Sequence, residues 1–343
     1  MRHSPFLDIA AVEAWDAWFR WRDQGGLRDL TVDDTLRRVV HALSRCEPQS
    51  CRAGWEQQLL DALAGWRLLL DERILASAGT DRPCWPRDRL AAALNPAVFV
   101  KAPFTALASF RYEAFEAVAR LAVHALDNAG LLAAGEHPGT HLRIGMVGLA
   151  DTLAQLGHAY DSPQGRQAAR AITQSLARGC LQGSLRLARE RGALLSPPDA
   201  LRRLGRLGEL GDAAEAADAV RHGLRHGSLT AIDSQKRLAL LANNVADAAD
   251  PLLAHGDIHA IPDAETNRLV CSPGYAVSLA KRLHAHQALR SVGTELAELS
   301  AQAQPALCEA IQPWIDEPIC YPSPLAGSEE TRKAIATHVG CNA

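Results

Sequence analysis

Aromatic side chains make up only 5% of the 343 residues and methionine occurs twice, so the apolar half of the chain is mostly Ala and Leu. Ala and Leu, with Arg and Glu, are the strongest helix formers, and the bias favours helix over sheet. Excess charge is lacking too. Lys and Arg total 36 against 39 Asp and Glu, a formal −3, with a pI near 6.5, which excludes a general basic field for nucleic acid. Arg202, Arg203 and Arg206 read as a solvated helix face rather than a phosphate grip. No run approaches the roughly 18 apolar residues of a membrane span. Met1-Arg2-His3-Ser4-Pro5 leads into acidic and aromatic residues instead of an apolar leader core, so a cytoplasmic protein with no membrane partner is expected.

The eight cysteines form no C-x-x-C pair and no zinc-ribbon spacing, and no metal site is expected. Cys46 and Cys51 read as scattered reduced thiols; the alternative joins them with His41 as half a metal site. His137/His141 and His284/His286 are isolated pairs and read as surface or core histidines. No G-x-S-x-G, Walker loop or H-E-x-x-H is present, and Gly145-x-x-Gly148 lacks the third glycine and the preceding strand of a dinucleotide fingerprint. No repeat of fixed period occurs. The length suits one large domain or two ordinary ones.

Periodicity predicts two helices over 8–45, with Trp15, Trp18, Phe19 and Arg22 on one face and Thr31 capping the second helix through Asp34. A third is predicted over 52–70, striped by Trp55, Leu59, Leu63, Trp66 and Leu70, with an extended or turn segment at 71–80. Helices follow at 111–134, around Met146–Leu156, from Asp161 or Ser162 to Gly192, over 199–224, at 276–302 and at 328–338. Pro305, Pro313, Pro318, Pro322 and Pro324 punctuate an irregular strap between the last two.

Several segments carry more than periodicity. Arg143-Ile144-Gly145-Met146-Val147-Gly148-Leu149-Ala150-Asp151 continues through Leu153, Leu156 and Gly157 to Tyr160-Asp161-Ser162 and on to Leu187-Ala188-Arg189-Glu190-Arg191-Gly192. Arg73–Thr80, Leu94–Val100, Asp127-Asn128 and Gly223–Asn244, with Asp250-Pro251 after it, add to the pattern. This order resembles the catalytic subunit of ribonucleotide reductase, especially the adenosylcobalamin-dependent class, over residues 12–80 and 94–251. The resemblance implies a mainly α fold: a helical scaffold with a few strands, near 94–100 and 228–233, left from the second half of a reductase-like α/β barrel. Arg143–Asp151 is assigned to a supporting helix. The implied organisation is an N-terminal helical region (1–80), a reductase-like helical and half-barrel core (81–254) and a helical, Pro-rich extension (255–343) to which the resemblance does not reach.

The catalytic parts of the pattern are altered. The family needs a thiyl radical on a finger-loop cysteine and two further redox cysteines on barrel strands. Only thirteen residues separate Thr80 from Leu94, leaving no room for the first half of the barrel or the finger loop. Cys84 is the one catalytic candidate. Read as the finger-loop cysteine, it is flanked by Arg82 and Pro86 where the family has Asn and Glu, and proline does no acid–base work. Read as the first redox cysteine, it lacks a partner, because Arg89-Leu90-Ala91-Ala92-Ala93 contains none. The family's phosphate-holding P-T-G-T turn becomes Ser234-Gln235-Lys236-Arg237, losing a glycine and gaining two cations. This turn either holds an anion at the helix start or caps the helix facing solvent, and Asn243 and Asn244 either line a pocket or end that helix. The expected function is a reductase-like protein that does not reduce nucleotides alone and binds a nucleotide, another phosphate-bearing ligand, a second copy or a protein partner. The alternative is an enzyme completed by another chain or with altered chemistry at 234–238. Adenosylcobalamin is implied by the resemblance alone.

Overall fold

The computed structural model describes residues 6–86, 89–134, 141–206, 213–252, 257–262, 267–292 and 299–319. The helix expected at 328–338, Pro322, Pro324 and His137 lie outside them, as do the side chains of Arg203 and Arg206. Helix α1 (Ile9–Trp18) is capped by Asp8, and a small hairpin follows, β1 (Arg22–Asp23) with β2 (Gly26–Leu27). Helix α2 (Val32–Ser44) opens with a full capping box, Thr31 and Asp34 each accepting the other's backbone N–H. Helix α3 (Gln49–Ala64) stops short of the expected 70, because Gly65 and Trp66, the latter at φ 50°, break it. The stripe's last leucine falls in a strand, β3 (Leu68–Leu70). The expected turn at 71–80 is a helix, α4 (Glu72–Ser77), since Asp71 caps it by accepting from Arg73 N–H.

Strand β4 (Leu90–Leu94) starts earlier than the expected strand near 94–100 and ends before Pro96, which cannot donate to a ladder; a 3₁₀ turn, Pro96–Phe99, replaces the rest. A two-residue pair, β5 (Val100–Lys101) and β6 (Ser109–Phe110), leads to α5 (Tyr112–Ala134). Next comes β7 (His141–Met146), a correction to the supporting helix expected for Arg143–Asp151. Leu142, Ile144 and Met146 alternate as a strand does, and Gly148, in the left-handed region at φ 78°, separates them from α6 (Leu149–Gln155), where helical spacing holds. Ser162 caps α7 (Pro163–Arg191), and α8 (Pro197–Arg206), α9 (Ala213–His222), β8 (Ser228–Thr230) and α10 (Lys236–Leu241) follow. The C-terminal part holds an unforeseen ribbon, β9 (Asp257–Pro262) with β10 (Asn267–Ser272), then α11 (Tyr275–Arg282), α12 (His286–Val292) and α13 (Ala303–Ile311). The single helix expected over 276–302 is split at His284, φ 54°. No described helix is long and apolar enough to cross a membrane.

The fold is mainly helical around one four-stranded sheet of order β3-β4-β7-β8. β3 is antiparallel to β4, while β4, β7 and β8 run parallel. Among the described residues this sheet does not close into a barrel. Helices α5 and α7 pack closely because Gly179 and Gly183 let α7 approach the α5 backbone at Glu116 and Arg120. On β7, a Cβ at Gly145 would overlap the carbonyl oxygen of Ala231, so glycine lets the chain leaving β8 cross over the sheet. Of the segment expected as an irregular strap, Pro305 lies within α13, which packs on α7, Trp314 packs on α7 as well, and residues 316–317 follow the edge of β8. Asp316 Oδ2 accepts from Leu229 N–H (2.8 Å) and Thr230 N–H (2.9 Å), and Glu317 N–H donates to Thr230 O. The principal core draws on residues from Trp15 to Ile315.

Candidate functional site

In parallel α/β sheets, ligands sit beyond the carboxyl ends of the strands. Here those ends present Asn95 after β4, Gly148 and Asp151 after β7, and Asp233 and Ser234 after β8. Asn95 is fully buried; its Oδ1 accepts from Ala97 N–H (3.1 Å), while its Nδ2 has no partner. Asp151 is also fully buried, and its two oxygens accept from Ala246 N–H (2.7 Å) and Ala276 N–H (2.9 Å). Burial pushes its carboxyl up to about 6, and these amides offset only part of that. Arg143 reaches from β7 to chelate Asp233, Nε to Oδ2 at 2.9 Å and a terminal nitrogen to Oδ1 at 2.7 Å, and it also pairs with Glu317. Burial opposes its charge, but the two carboxylates outweigh burial and raise its pKa.

The residues singled out from the sequence separate into three groups. Ser234 Oγ donates to Asp247 Oδ2 and Gln235 N–H donates to Asp247 Oδ1, both at 2.6 Å. The turn's hydroxyl and first amide, the donors an anion would take, are therefore held by the chain's own carboxylate. Lys236 is exposed, whereas Arg237 pairs with Glu72 (3.1 Å) and lies over the Trp18 ring at 5.0 Å. Asn243 and Asn244, both at positive φ, end α10 and face elsewhere. Asn243 Oδ1 accepts from Leu7 N–H (2.6 Å), and Asn244 Nδ2 donates to Ser272 O (3.0 Å). Cys84 is exposed in the loop after α4, where its N–H donates to Ser77 Oγ (2.9 Å). Strands β4, β7 and β8 contain no cysteine. An open groove of about 690 Å³ lies between α7 and α13, lined by Arg166, Arg170 and Glu309 among others, and none of residues 234–244 reaches it.

Sequence reasoning missed a buried ionic network at the opposite end of the sheet, where the chain enters β8. Arg191 bridges Asp127 Oδ2 and Glu47 Oε1, both at 2.6 Å, and also donates to Asn128 Oδ1 (2.7 Å). His124 Nε2 lies 2.7 Å from Glu47 Oε1, and Arg225 Nε donates to Asp127 Oδ1 at 2.9 Å. Burial opposes the charge on Glu47, but hydrogen bonds from His124 and Asn128 and the Arg191 charge outweigh it and hold the carboxyl at about 2. Asp127, against the same opposition, is held well below the usual range by His226 and Arg225. The signal was present as three separate dipeptides, Asp127-Asn128, Arg191-Gly192 and Arg225-His226, with nothing in their spacing to say that they meet.

Among the described residues no group of three or more His, Cys, Asp or Glu could hold a metal ion. The parallel strands also offer no thiol to receive a radical from a cobalamin cofactor. No curated protein matches the chain. Residues 92–197, from within β4 to the first residue of α8, match the family model of the ribonucleotide reductase barrel domain. Over that span, which holds β7 and the closely packed α5 and α7, the chain is similar to that domain.

Proposed function

We propose that this chain is a ribonucleotide-reductase-like scaffold that does not reduce nucleotides by itself and acts by binding a phosphate-bearing ligand or a protein partner. The observation that carries the reading is the chemistry of the strand ends: β4, β7 and β8 supply no thiol, and thiol S–H chemistry is what the reductase reaction requires. The ligand clause rests on Lys236 beside Ser234 and Gln235. An anion arriving there meets the exposed Lys236, an exposed Arg237 already paired with Glu72, and two donors already engaged by Asp247. The test incubates the purified chain with nucleoside di- and triphosphates, adenosylcobalamin and a dithiol, and follows deoxynucleotide formation together with calorimetric binding. No turnover is expected, with nucleotide binding that weakens in Lys236→Gln. Turnover by the chain alone overturns the proposal, and heat that Lys236→Gln leaves unchanged removes the ligand clause.

A second reading, an enzyme completed by another chain, is favoured by the unpartnered Nδ2 of Asn95 at the end of β4. This reading expects turnover once a completing chain is present, whether a second copy or another protein, whereas the first expects none at any state of association, so light scattering read together with the turnover assay distinguishes the two.

A further inference from the structure

Asp151 is the point where three segments meet. It sits in the first turn of α6, and one of its oxygens holds Ala246, in the loop after α10. The other holds Ala276, the second residue of α11. Gly274, which precedes α11, offers no side-chain cap, so the Ala276 N–H is an orphan donor that Asp151 satisfies from another helix. The same loop receives Gly148 N–H on Ala246 O (2.6 Å) and Tyr275 N–H on Asn244 O (2.9 Å). Ribbon β9–β10 is fastened here too, through Asn244 and Ser272. One fully buried acid thus joins α6, the loop after α10 and the start of α11, while ribbon β9–β10 also packs on α1, where Ser272 donates to Asp8 and Arg268 pairs with Glu13.

Among the described residues no cation compensates that acid. The Pro96–Phe99 turn has no ionisable side chain, and the buried positions of α7 carry no charge. Lys281 and Arg282 of α11 and His286 and Arg290 of α12 are exposed. In the adjoining loop, Asp247 faces Ser234 and Gln235, and Asp250 accepts from Gln304. Tyr275 is the ionisable neighbour, its hydroxyl pushed up to about 12 by burial first and by Asp151 second.

We propose that Asp151 is a proton-controlled clasp, its charge setting how tightly the start of α11 and the loop after α10 are held against α6. The clasp stands whether or not the 234–237 turn binds an anion. In the docked arrangement burial lifts the Asp151 carboxyl from its ordinary 3.8 to about 6, the Ala246 and Ala276 amides offsetting only part of that. A carboxyl lifted by the burial that docking completes is held best when protonated. The contribution is complete below about 3.8 and is lost as pH rises through about 6.

Hydrogen exchange on the full chain tests this. After correction for intrinsic rates, protection of the Ala246 and Ala276 amides is expected to fall on the order of 100-fold between pH 4 and 8. Leu126, in the middle of α5, serves as the reference for global opening, and Asp151→Asn is expected to abolish the local difference. Protection that is flat in the wild type, or that follows the same slope in Asp151→Asn, overturns the proposal. Should that variant not fold, the carboxyl ¹³C shift of Asp151 in the wild type decides: a midpoint near 6 supports the clasp, and one in the ordinary carboxylate range overturns it.

Discussion

Asp127 and Arg225 face each other 2.9 Å apart where the chain enters β8, both buried, with Arg191 on the other oxygen of the same carboxylate. Two arginines share one acid, and Arg191 passes its second nitrogen to Glu47. Removing one member of such a network leaves charge buried without a partner. Asp127→Asn is therefore expected to lose about 3 kcal/mol of unfolding free energy in urea titration. A loss under about 1 kcal/mol would mean that the arginines find water instead.

Acid stability should depend on the same network. The folded carboxyl of Glu47 is held at about 2 against an ordinary 4.5. Because it is depressed, its contribution is present above about 4.5 and is lost as pH falls toward 2. Thermal midpoints recorded from pH 5 to 2 should fall less steeply in Glu47→Gln than in the wild type. Equal slopes would place the acid sensitivity elsewhere.

Gly145→Ala tests the crossing of the sheet by Ala231. The new methyl would meet a backbone carbonyl, which cannot swing aside as a side chain does. A loss of about 1–3 kcal/mol is expected, with the amide of Ala231, which donates to Ile144 O, losing protection first. A neutral substitution would show that β8 moves freely relative to β7.

Asp247→Asn addresses the turn after β8. It keeps an acceptor near Ser234 and Gln235 but removes the negative charge that an incoming phosphate must face. Calorimetric affinity for a nucleoside diphosphate should rise on the order of tenfold, a modest share of a like-charge contact near a protein surface. Unchanged affinity would place any binding away from this turn.

Much of the helical frame was legible because its signals are local: the Thr31–Asp34 box, the Ser162 cap before Pro163, and the long run to Gly192 all appear where the residues place them. The central strand β7 was not, because Met146 through Leu156 carries helical spacing and masks the alternation of Leu142, Ile144 and Met146 just before it. Leu68–Leu70 was lost to the helical stripe for the same reason: three leucines fit either period until Trp66 turns the chain. At the candidate site, Ser234 and Gln235 could be found from their turn, but their partner Asp247 could not, since a pairing across a loop leaves no periodic trace. The buried network is the extreme case, joining Glu47 to Arg191 across 144 positions.

A barrel hides its strand edges by joining its last strand to its first. Among the described residues this sheet ends at β8, and the backbone N–H groups on its outer side are answered by Asp316, one carboxylate standing in for the acceptors a further strand would bring. An acid in that position also repels any further strand that approaches with its own carbonyls, so the seal is chemical as well as geometric. Among the described residues the sheet is finished at that edge without being closed, and the carboxylate there blunts its tendency to add strands.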